Sequence, residues 1–351
     1  MPFATHRPLL PPASYRRRAS RSSHGLLAGA AAALAAAALA NHLVARRSER
    51  RHPPRGRFLE VEGLKLHYMD EGPTEQGGAQ DGGGMPIVLL HGNGAMAEDF
   101  VASGLLHRLA RHHRVIAFDR PGFGHTPRPR GTIWSARAQA ALFQKALRQL
   151  DVRRPVVVGH SWATLVALTL ALDHPRDVGA LVLLSGYYHP TARLDLPTMS
   201  IPAVPLLGDI MRYTFLPLLT WLMLPRLVRW LFAPSPVTRR FRQRFPAALS
   251  LRPSQLRASA SDTALMIPGT AAICRRYGEL AMPVVIVSGT QDHVVDFVEQ
   301  ATWLHDAIDH SRLHAIAADG HMIHYTAPEQ VEAAIAEAVA AAVRERAMSA
   351  A

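Results

Sequence analysis

A serine with small neighbours stands between a predicted strand and a predicted helix. Residues 156–158 are three valines, which predict a buried strand, and the run Gly-His-Ser-Trp-Ala at 159–163 follows them. A predicted helix over 162–173 begins directly after Ser161. A tight turn from strand to helix exposes the serine Oγ, and the positive end of the helix dipole favours negative charge developing beside it. The pattern therefore indicates a nucleophilic serine.

An acid and a base for this serine follow two later predicted strands. Asp292 comes after the first of them and His321 after the second. A histidine can take the serine proton, and a carboxylate can fix the histidine tautomer and stabilise its charge. Asp296 and His324 are the alternatives. We interpret Asp296 as the N-cap of a following helix, and we expect His324, one turn beyond His321, to face solvent or the predicted lid.

The order Ser161, Asp292, His321 resembles that of the α/β-hydrolase superfamily. The run His-Gly-Asn-Gly at 91–94, directly after a predicted strand, is similar to the superfamily's oxyanion loop. Residues 119–126 (DRPGFGHT) are similar to its D-x-x-G-x-G-x-[ST] turn, most closely in the epoxide hydrolase, dehalogenase and cofactor-free haloperoxidase branches.

This resemblance covers roughly residues 58–345 and implies a role for each matched position. Ser161 would be the nucleophile, His321 the base and Asp292 the acid that orients it. The backbone amides of Asn93 and Trp162 would bind the oxyanion, and the turn at 119–126 would be structural. The family pattern usually ends in glycine where this chain has alanine, the mildest replacement.

Unbroken apolar runs alternate with helical segments over most of the chain. A short hairpin is predicted first, and the buried runs that follow lack the polar alternation of a half-exposed strand. Such runs predict a parallel sheet with helices on both faces. The expected fold is therefore an α/β-hydrolase fold, a mostly parallel sheet flanked by helices with a helical lid inserted before the acid. The predicted divisions are a basic N-terminal segment (1–24), a transmembrane or signal segment (25–45), a basic linker (46–57), the first part of the core (58–186), the helical lid (187–280) and the second part of the core (281–351).

The segment 25–45 is apolar apart from Asn41 and His42. As a helix, its 21 residues would extend about 31 Å, which is enough for one crossing of a bilayer. Arginines stand on both sides, so the charge distribution does not select an orientation. Two alternatives remain open: a signal peptide cleaved after the small residues at 38–40, and a leader without membrane contact.

The predicted lid is apolar and basic. Its centre, residues 213–232, is very apolar and is broken by Pro217 and Pro225, and residues 187–277 contain twelve arginines against three acidic residues. Apolar clusters interleaved with arginines are typical of surfaces that contact anionic lipid or a hydrophobic substrate.

The overall composition limits the possible partners. The net charge of +12 is concentrated in the lid and in residues 1–57, which contain eleven arginines and one acidic residue. An acidic body with two basic appendages is unlike a nucleic-acid-binding fold, so no nucleic-acid partner is expected. The single cysteine, Cys274, excludes an intramolecular disulfide and a multi-cysteine metal site.

Together these features predict a serine hydrolase of the carboxylesterase or lipase type, acting on a small-molecule ester with hydrophobic acyl chains, with lipids among the candidates. No cofactor or metal is implied. The alternative activities are hydrolysis of a C–C bond in a ring-cleavage product and haloperoxidase-like chemistry, which share this skeleton. Serine at position 161, where dehalogenases and epoxide hydrolases carry aspartate, argues against dehalogenation and epoxide hydrolysis. A membrane-tethered binding protein with a vestigial site is the non-enzymatic alternative.

Overall fold

The computed structural model describes residues 13–73 and 84–350, and its centre is an eight-stranded sheet. The strands stand in the order β1-β2-β4-β3-β5-β6-β7-β8. Their bounds are β1 Arg57–Val61, β2 Leu64–Glu71, β3 Ile87–Leu90, β4 Val115–Phe118, β5 Val156–His160, β6 Ala180–Leu184, β7 Val284–Gly289 and β8 Arg312–Ile316.

The sheet is parallel from β3 to β8, whereas the hairpin β1–β2 joins β4 in antiparallel pairing. Alternate side chains of a strand point to opposite faces, and both faces here are covered. In β5, Val157 belongs to one hydrophobic cluster, while Val156 and Val158 belong to the other. This double burial explains why the strands read as unbroken apolar runs, and it confirms the predicted mostly parallel sheet covered on both faces.

The helices of the described residues fall into three groups, before, within and after the segment between β6 and β7. The first group is α1 Ala13–Arg51, α2 Glu98–Ser103, α3 Leu105–Leu109, α4 Ala136–Gln149 and α5 Ala163–Asp173. The second is α6 Leu196–Ser200, α7 Leu207–Tyr213, α8 Leu216–Phe232, α9 Arg239–Arg244, α10 Ala247–Ser250 and α11 Pro253–Ile273. The third is α12 Trp303–Ala307, α13 Ile323–Thr326 and α14 Pro328–Ala350.

Asp296 caps a helix, as the sequence predicted. Its side chain accepts a hydrogen bond from the backbone N–H of Glu299 at 2.8 Å. The helix that it caps begins as a π-helical turn at Phe297–Thr302 and continues as α12. Asp296 is therefore a structural cap, as predicted from its position after the loop.

The N-terminal helix α1 is longer than the predicted apolar segment. It continues to Arg51, so the first half of the predicted linker over 46–57 is helical. Arginine is a good helix former, and the first strong helix breakers are Pro53 and Pro54. Within α1, the stretch His24–Arg51 is long and apolar enough to cross a membrane, by length and composition.

The C-terminal part of α1 contacts the segment between β6 and β7, which we call the insert (residues 185–283). The Asn41 side chain donates a hydrogen bond to the carbonyl of Tyr213 at 2.9 Å. Glu49 forms an ion pair with Arg252 at 3.2 Å, and the Arg252 side chain is almost wholly buried. The insert is thus in contact with the N-terminal helix as well as with the sheet.

Gly124 offers a test of the turn that follows β4. Its φ is +51°, and a Cβ there would lie 2.0 Å from the Asp119 carboxylate. We expect Gly124→Ala to lower the free energy of unfolding by at least about 2 kcal/mol, because strain and displacement of a buried carboxylate add together. Urea unfolding of the full chain in detergent measures the loss. Gly131→Ala, where a Cβ meets nothing within 4 Å, is the matched control, and an equal loss in both variants would contradict this account.

Candidate active site

Three side chains from three loops meet at the C-terminal edge of the sheet. Ser161 Oγ lies 2.9 Å from His321 Nε2, and His321 Nδ1 lies 2.7 Å from Asp292 Oδ2. His321 and Asp292 are buried, and Ser161 is half-buried. The structure therefore brings together the three residues that the sequence singled out, in hydrogen-bonding order.

The backbone around Ser161 is held in an uncommon conformation. Ser161 has a φ of +54°, a region that non-glycine residues rarely occupy. A Cβ on Gly159 would lie 2.9 Å from the carbonyl of Ala163, so the start of α5 can approach β5 only over a glycine. The Ser161 N–H donates to the carbonyl of Leu184 at 2.8 Å, which ties the turn to the neighbouring strand. This support offsets the strain and keeps the hydroxyl in place.

The loop after β7 holds the Asp292 carboxylate from both sides. Its Oδ1 accepts hydrogen bonds from the backbone N–H groups of Val294 and Val295 at 2.8 and 3.1 Å. Its Oδ2 is thereby left facing the His321 ring. The backbone N–H of His321 donates to the carbonyl of Leu231 in the insert at 3.3 Å. The acid is thus positioned by its own loop, and the base partly by the insert.

The side chains of the two predicted oxyanion-binding residues are engaged elsewhere. The Asn93 amide donates to the carbonyl of Ser259 and to Thr263 Oγ1, and the Trp162 indole donates to the carbonyl of Asp262 at 2.8 Å. None of the hydrogen bonds found among the described residues uses the backbone N–H of Asn93 or Trp162. A Cβ on Gly92 would lie 3.0 Å from the Ser161 Cβ, so the loop before Asn93 runs directly beside the serine.

A buried ion cluster that the sequence did not predict supports this loop. Arg120 is fully buried and donates to the carbonyls of His91 at 2.8 Å and Gly92 at 3.2 Å. Its guanidinium also contacts Asp262 at 2.6 Å, and Arg128 contacts the same carboxylate at 2.9 Å. Burial lowers the pKa of Arg120, and the charge and hydrogen bond of Asp262 oppose that effect.

Gln255 of α11 makes a second contact between the insert and the loop. Its Nε2 donates to the carbonyl of Ala95 at 3.2 Å, and its Oε1 accepts from the N–H of Gly124 at 3.1 Å. Arg252 donates to the carbonyl of Gly124 and, at 3.3 Å, to Gln255 Oε1. Because Arg252 also pairs with Glu49, a continuous set of polar contacts joins α1 to the loop beside Ser161.

The sequence analysis expected His324 to face solvent or the predicted lid, but the structure places it elsewhere. It is fully buried, and its Nε2 lies 2.9 Å from Asp99 Oδ2. The expectation assumed that a side chain one helical turn beyond His321 would lie on an exposed face. Helix α13 is instead a single turn packed on α2, so its side chains are buried on more than one side. The expectation for His324 is therefore wrong.

Asp99, His160 and His324 bring atoms that could hold a metal ion within 4.8 Å of one another. Hydrogen bonds already use part of this set. His160 Nε2 donates to the carbonyl of His321 at 3.2 Å, and its Nδ1 lies against Gly92. Burial, with the neighbouring His324 and His321, holds the pKa of His160 well below its ordinary value. We interpret the cluster as a structural support beneath the Ser161 and His321 loops.

Asp119 lies away from the serine and organises the turn after β4. Its carboxylate accepts from the N–H groups of Ala97 and His125, both at 2.8 Å, and from His67 Nδ1 at 2.6 Å. Burial alone would raise the pKa of Asp119, but the hydrogen bond and charge of His67 hold it below its ordinary value. This geometry agrees with the structural role that the sequence analysis gave to residues 119–126.

Asp262→Asn tests the buried ion cluster. We expect this change to lower the free energy of unfolding by about 3–5 kcal/mol, because Arg120 and Arg128 would keep buried charges without a counter-charge. Asp195→Asn, which breaks an exposed pair with Arg193 in the same insert, should cost no more than about 1 kcal/mol. Urea unfolding of both variants in one detergent measures the difference, and equal losses would show that the cluster has no special weight.

His91 gives the folded state a pH dependence of known sign. Burial and the charge of Arg120 lower its pKa from 6.5 to about 3. Between these values the unfolded chain binds more protons, so the stability contributed by His91 is complete above pH 6.5 and falls as the pH drops towards 3, by about 1.4 kcal/mol per unit. Between pH 7 and pH 5, we expect the unfolding free energy of His91→Gln to fall by about 2 kcal/mol less than that of the parent chain. The exposed His112→Gln is the control, and an unchanged slope in His91→Gln would refute the assignment.

Comparison with known proteins places this geometry among related folds. One curated relative, 2-hydroxy-6-oxo-2,4-heptadienoate hydrolase from Pseudomonas putida, is 33% identical over 136 residues, which are 38% of this chain and 49% of that protein. The chain thus spans about half the length of the curated relatives that it matches.

Two solved structures share the fold at lower identity. A membrane phospholipase A superposes with a TM-score of 0.61 at 20% identity, covering 92% of this chain and 99% of that one. An esterase from Exiguobacterium antarcticum superposes with a TM-score of 0.64 at 21% identity, covering 81% and 99%. The family model described as alpha/beta hydrolase fold matches residues 85–328, which include Ser161, Asp292 and His321. The chain belongs to the alpha/beta hydrolase fold family.

Proposed function

We propose that this chain is a serine hydrolase that cleaves carboxylic ester bonds through Ser161, His321 and Asp292. The observation that carries the proposal is the pair of hydrogen bonds, 2.9 Å from Ser161 Oγ to His321 Nε2 and 2.7 Å from His321 Nδ1 to Asp292 Oδ2. A serine in this arrangement has a base for its proton and a carboxylate that keeps the base in the correct tautomer.

In the proposed reaction, His321 Nε2 takes the proton of Ser161 as the Oγ attacks the ester carbonyl. The ester C–O bond then breaks, and His321 returns the proton to the departing alcohol. Water, activated by the same histidine, attacks the acyl-enzyme and releases the acid. Asp292 stays ionised throughout and stabilises the imidazolium.

The backbone N–H groups of Asn93 and Trp162 are the proposed donors to the oxyanion. The close approach of the Gly92 backbone to Ser161 supports this assignment, as does the position of Trp162 at the start of α5. Loss of one such donor typically costs about 3–4 kcal/mol of transition-state stabilisation. Arg120 and Gln255, which hold the carbonyls of this loop, then act as positioning residues.

The exposed surface of the insert favours a hydrophobic substrate. Helix α8 presents a set of large apolar side chains to solvent, and α7 adds Ile210 and Tyr213. The exposed large apolar residues of α8 are Leu218, Leu219, Trp221, Leu222, Met223, Leu227 and Trp230. We propose that the insert is a lid over the site and that the substrate is an ester with a long acyl chain, with membrane lipid as its source.

Helix α1 contacts the insert beside this face, because the Asn41 side chain donates to the carbonyl of Tyr213 at the end of α7. Taken together as a bent pair, α7 and α8 also pass the length and hydropathy test for a membrane segment, with a 67° bend between them. We propose that residues 25–45 form a single-pass anchor and that the apolar face of α8 lies at the surface of the same bilayer. An exported form after signal cleavage is the alternative.

A second activity is favoured by the similarity to 2-hydroxy-6-oxo-2,4-heptadienoate hydrolase. A dienoate substrate of that kind would be cleaved at a C–C bond by the same three residues. A small dienoate acid would not require the long apolar face of α8, so we rank ester hydrolysis first.

Hydrolysis of p-nitrophenyl esters with acyl chains of increasing length tests the proposal. We expect the full chain in detergent to turn over these esters, with higher kcat/KM for longer chains. Ser161→Ala should remove the activity, and Asp292→Asn should lower kcat by about 10⁴-fold, because the wrong histidine tautomer is then favoured. Asp296→Asn, which removes a nearby carboxylate charge but keeps a capping side-chain oxygen, is the matched control and should keep kcat within a few-fold.

Two outcomes would contradict the proposal. Full activity in Ser161→Ala would show that the serine is not the nucleophile. No turnover of any ester by folded protein, together with hydrolysis of a dienoate, would move the second activity to first place.

A further inference from the structure

A cavity of about 440 Å³ lies where the end of α1, the insert and the body of the protein meet. It is separate from the Ser161 site. Arg51 and His52 line it from α1 and the residues after it, Arg244 from α9, and Arg55 and Glu98 from the body. The cavity is therefore built from three parts of the chain that only the folded protein brings together.

The lining of this cavity is strongly cationic. It contains three guanidinium groups, from Arg51, Arg55 and Arg244, and a single carboxylate, from Glu98. Arg55 lies 3.9 Å from Glu98, whereas Arg51 and Arg244 have no ion pair within the described part of the chain. Burial raises the pKa of Glu98, despite the opposing charge of Arg55. Two guanidinium groups thus remain uncompensated around one concave site.

Guanidinium groups are well suited to one class of ligand. Each presents a planar set of N–H donors that matches the oxygens of a phosphate or carboxylate. A cleft lined by one sign of charge also concentrates the field and raises the local concentration of the opposite ion. The side chains of His52 and His125, which also line the cavity, can supply further hydrogen bonds.

The position of the cavity along α1 indicates where such an anion would come from. Arg51 follows the proposed anchor, residues 25–45, by six residues, which is about 9 Å along the helix. The headgroup layer of a bilayer extends about 5–8 Å beyond each side of the hydrocarbon core. If residues 25–45 cross the membrane, as proposed above, the cavity opens at the outer edge of the lipid headgroup layer.

We propose that this cavity binds the phosphate of an anionic lipid headgroup, with Arg51 and Arg244 as its main ligands. The bound lipid joins α1 to α9 and holds the insert against the membrane surface. The proposal rests on the anchor but not on the chemistry at Ser161. Binding measured in the Ser161→Ala variant therefore tests it whether or not the chain is an esterase.

Isothermal titration of the full-length Ser161→Ala chain in detergent provides the test. The probes are dihexanoyl phosphatidylglycerol, dihexanoyl phosphatidylcholine and inorganic phosphate. We expect saturable binding of phosphatidylglycerol, with at least tenfold weaker binding of the other two. Arg51→Gln with Arg244→Gln should weaken phosphatidylglycerol binding at least tenfold.

Arg50→Gln with Arg242→Gln is the matched control, because it removes two exposed arginines from the same two helices but outside the cavity. This control should stay within twofold of the parent. Equal weakening in both double variants would reduce the effect to general attraction by surface charge. Inorganic phosphate binding as tightly as phosphatidylglycerol would assign the cavity to a free anion, and no saturable binding of phosphatidylglycerol would overturn the proposal.

Discussion

The Arg120 guanidinium is enclosed by the protein, and its neighbours come from distant parts of the chain. Asp262, its counter-charge, stands 142 residues further on, in the insert. The rings of Phe123 and Trp162 lie 4.6 and 4.7 Å from the guanidinium carbon. A buried charge is tolerated only when it is paired and hydrogen-bonded on every side. The insert, the turn after β4 and the loop after β3 must therefore fold together, since none of them can satisfy Arg120 alone.

This constraint explains how the residues around Ser161 reach their positions. Arg120 fixes the carbonyls of His91 and Gly92, while the Trp162 ring that packs on Arg120 belongs to the residue after the serine. Beneath them, His160 joins the serine strand to the carbonyl of His321. The loops at the sheet edge are thus held by buried polar contacts as well as by the parallel strands.

Much of the fold could be predicted from the sequence because its signals are local. Unbroken runs such as Ile87–Leu90 report burial on both faces, and glycine at 159 reports the tight turn before Ser161. The contact between Arg120 and Asp262 gives no local signal, because neither residue's sequence neighbours show that the other will lie beside it. The continuation of α1 past residue 45 could not be predicted for a different reason. A change from apolar to basic residues alters solvation, but arginines continue a helix until proline ends it.

The continuity of α1 to Arg51 also affects how the catalytic body could move. Only a few residues separate the last turn of α1 from β1, and two of them are prolines, while Glu49 and Asn41 fasten the helix to the insert. A body on a flexible tether could reorient freely above a bilayer. If residues 25–45 lie in the membrane, the body of this protein can turn only together with α1. The height of Ser161 above the lipid is then fixed.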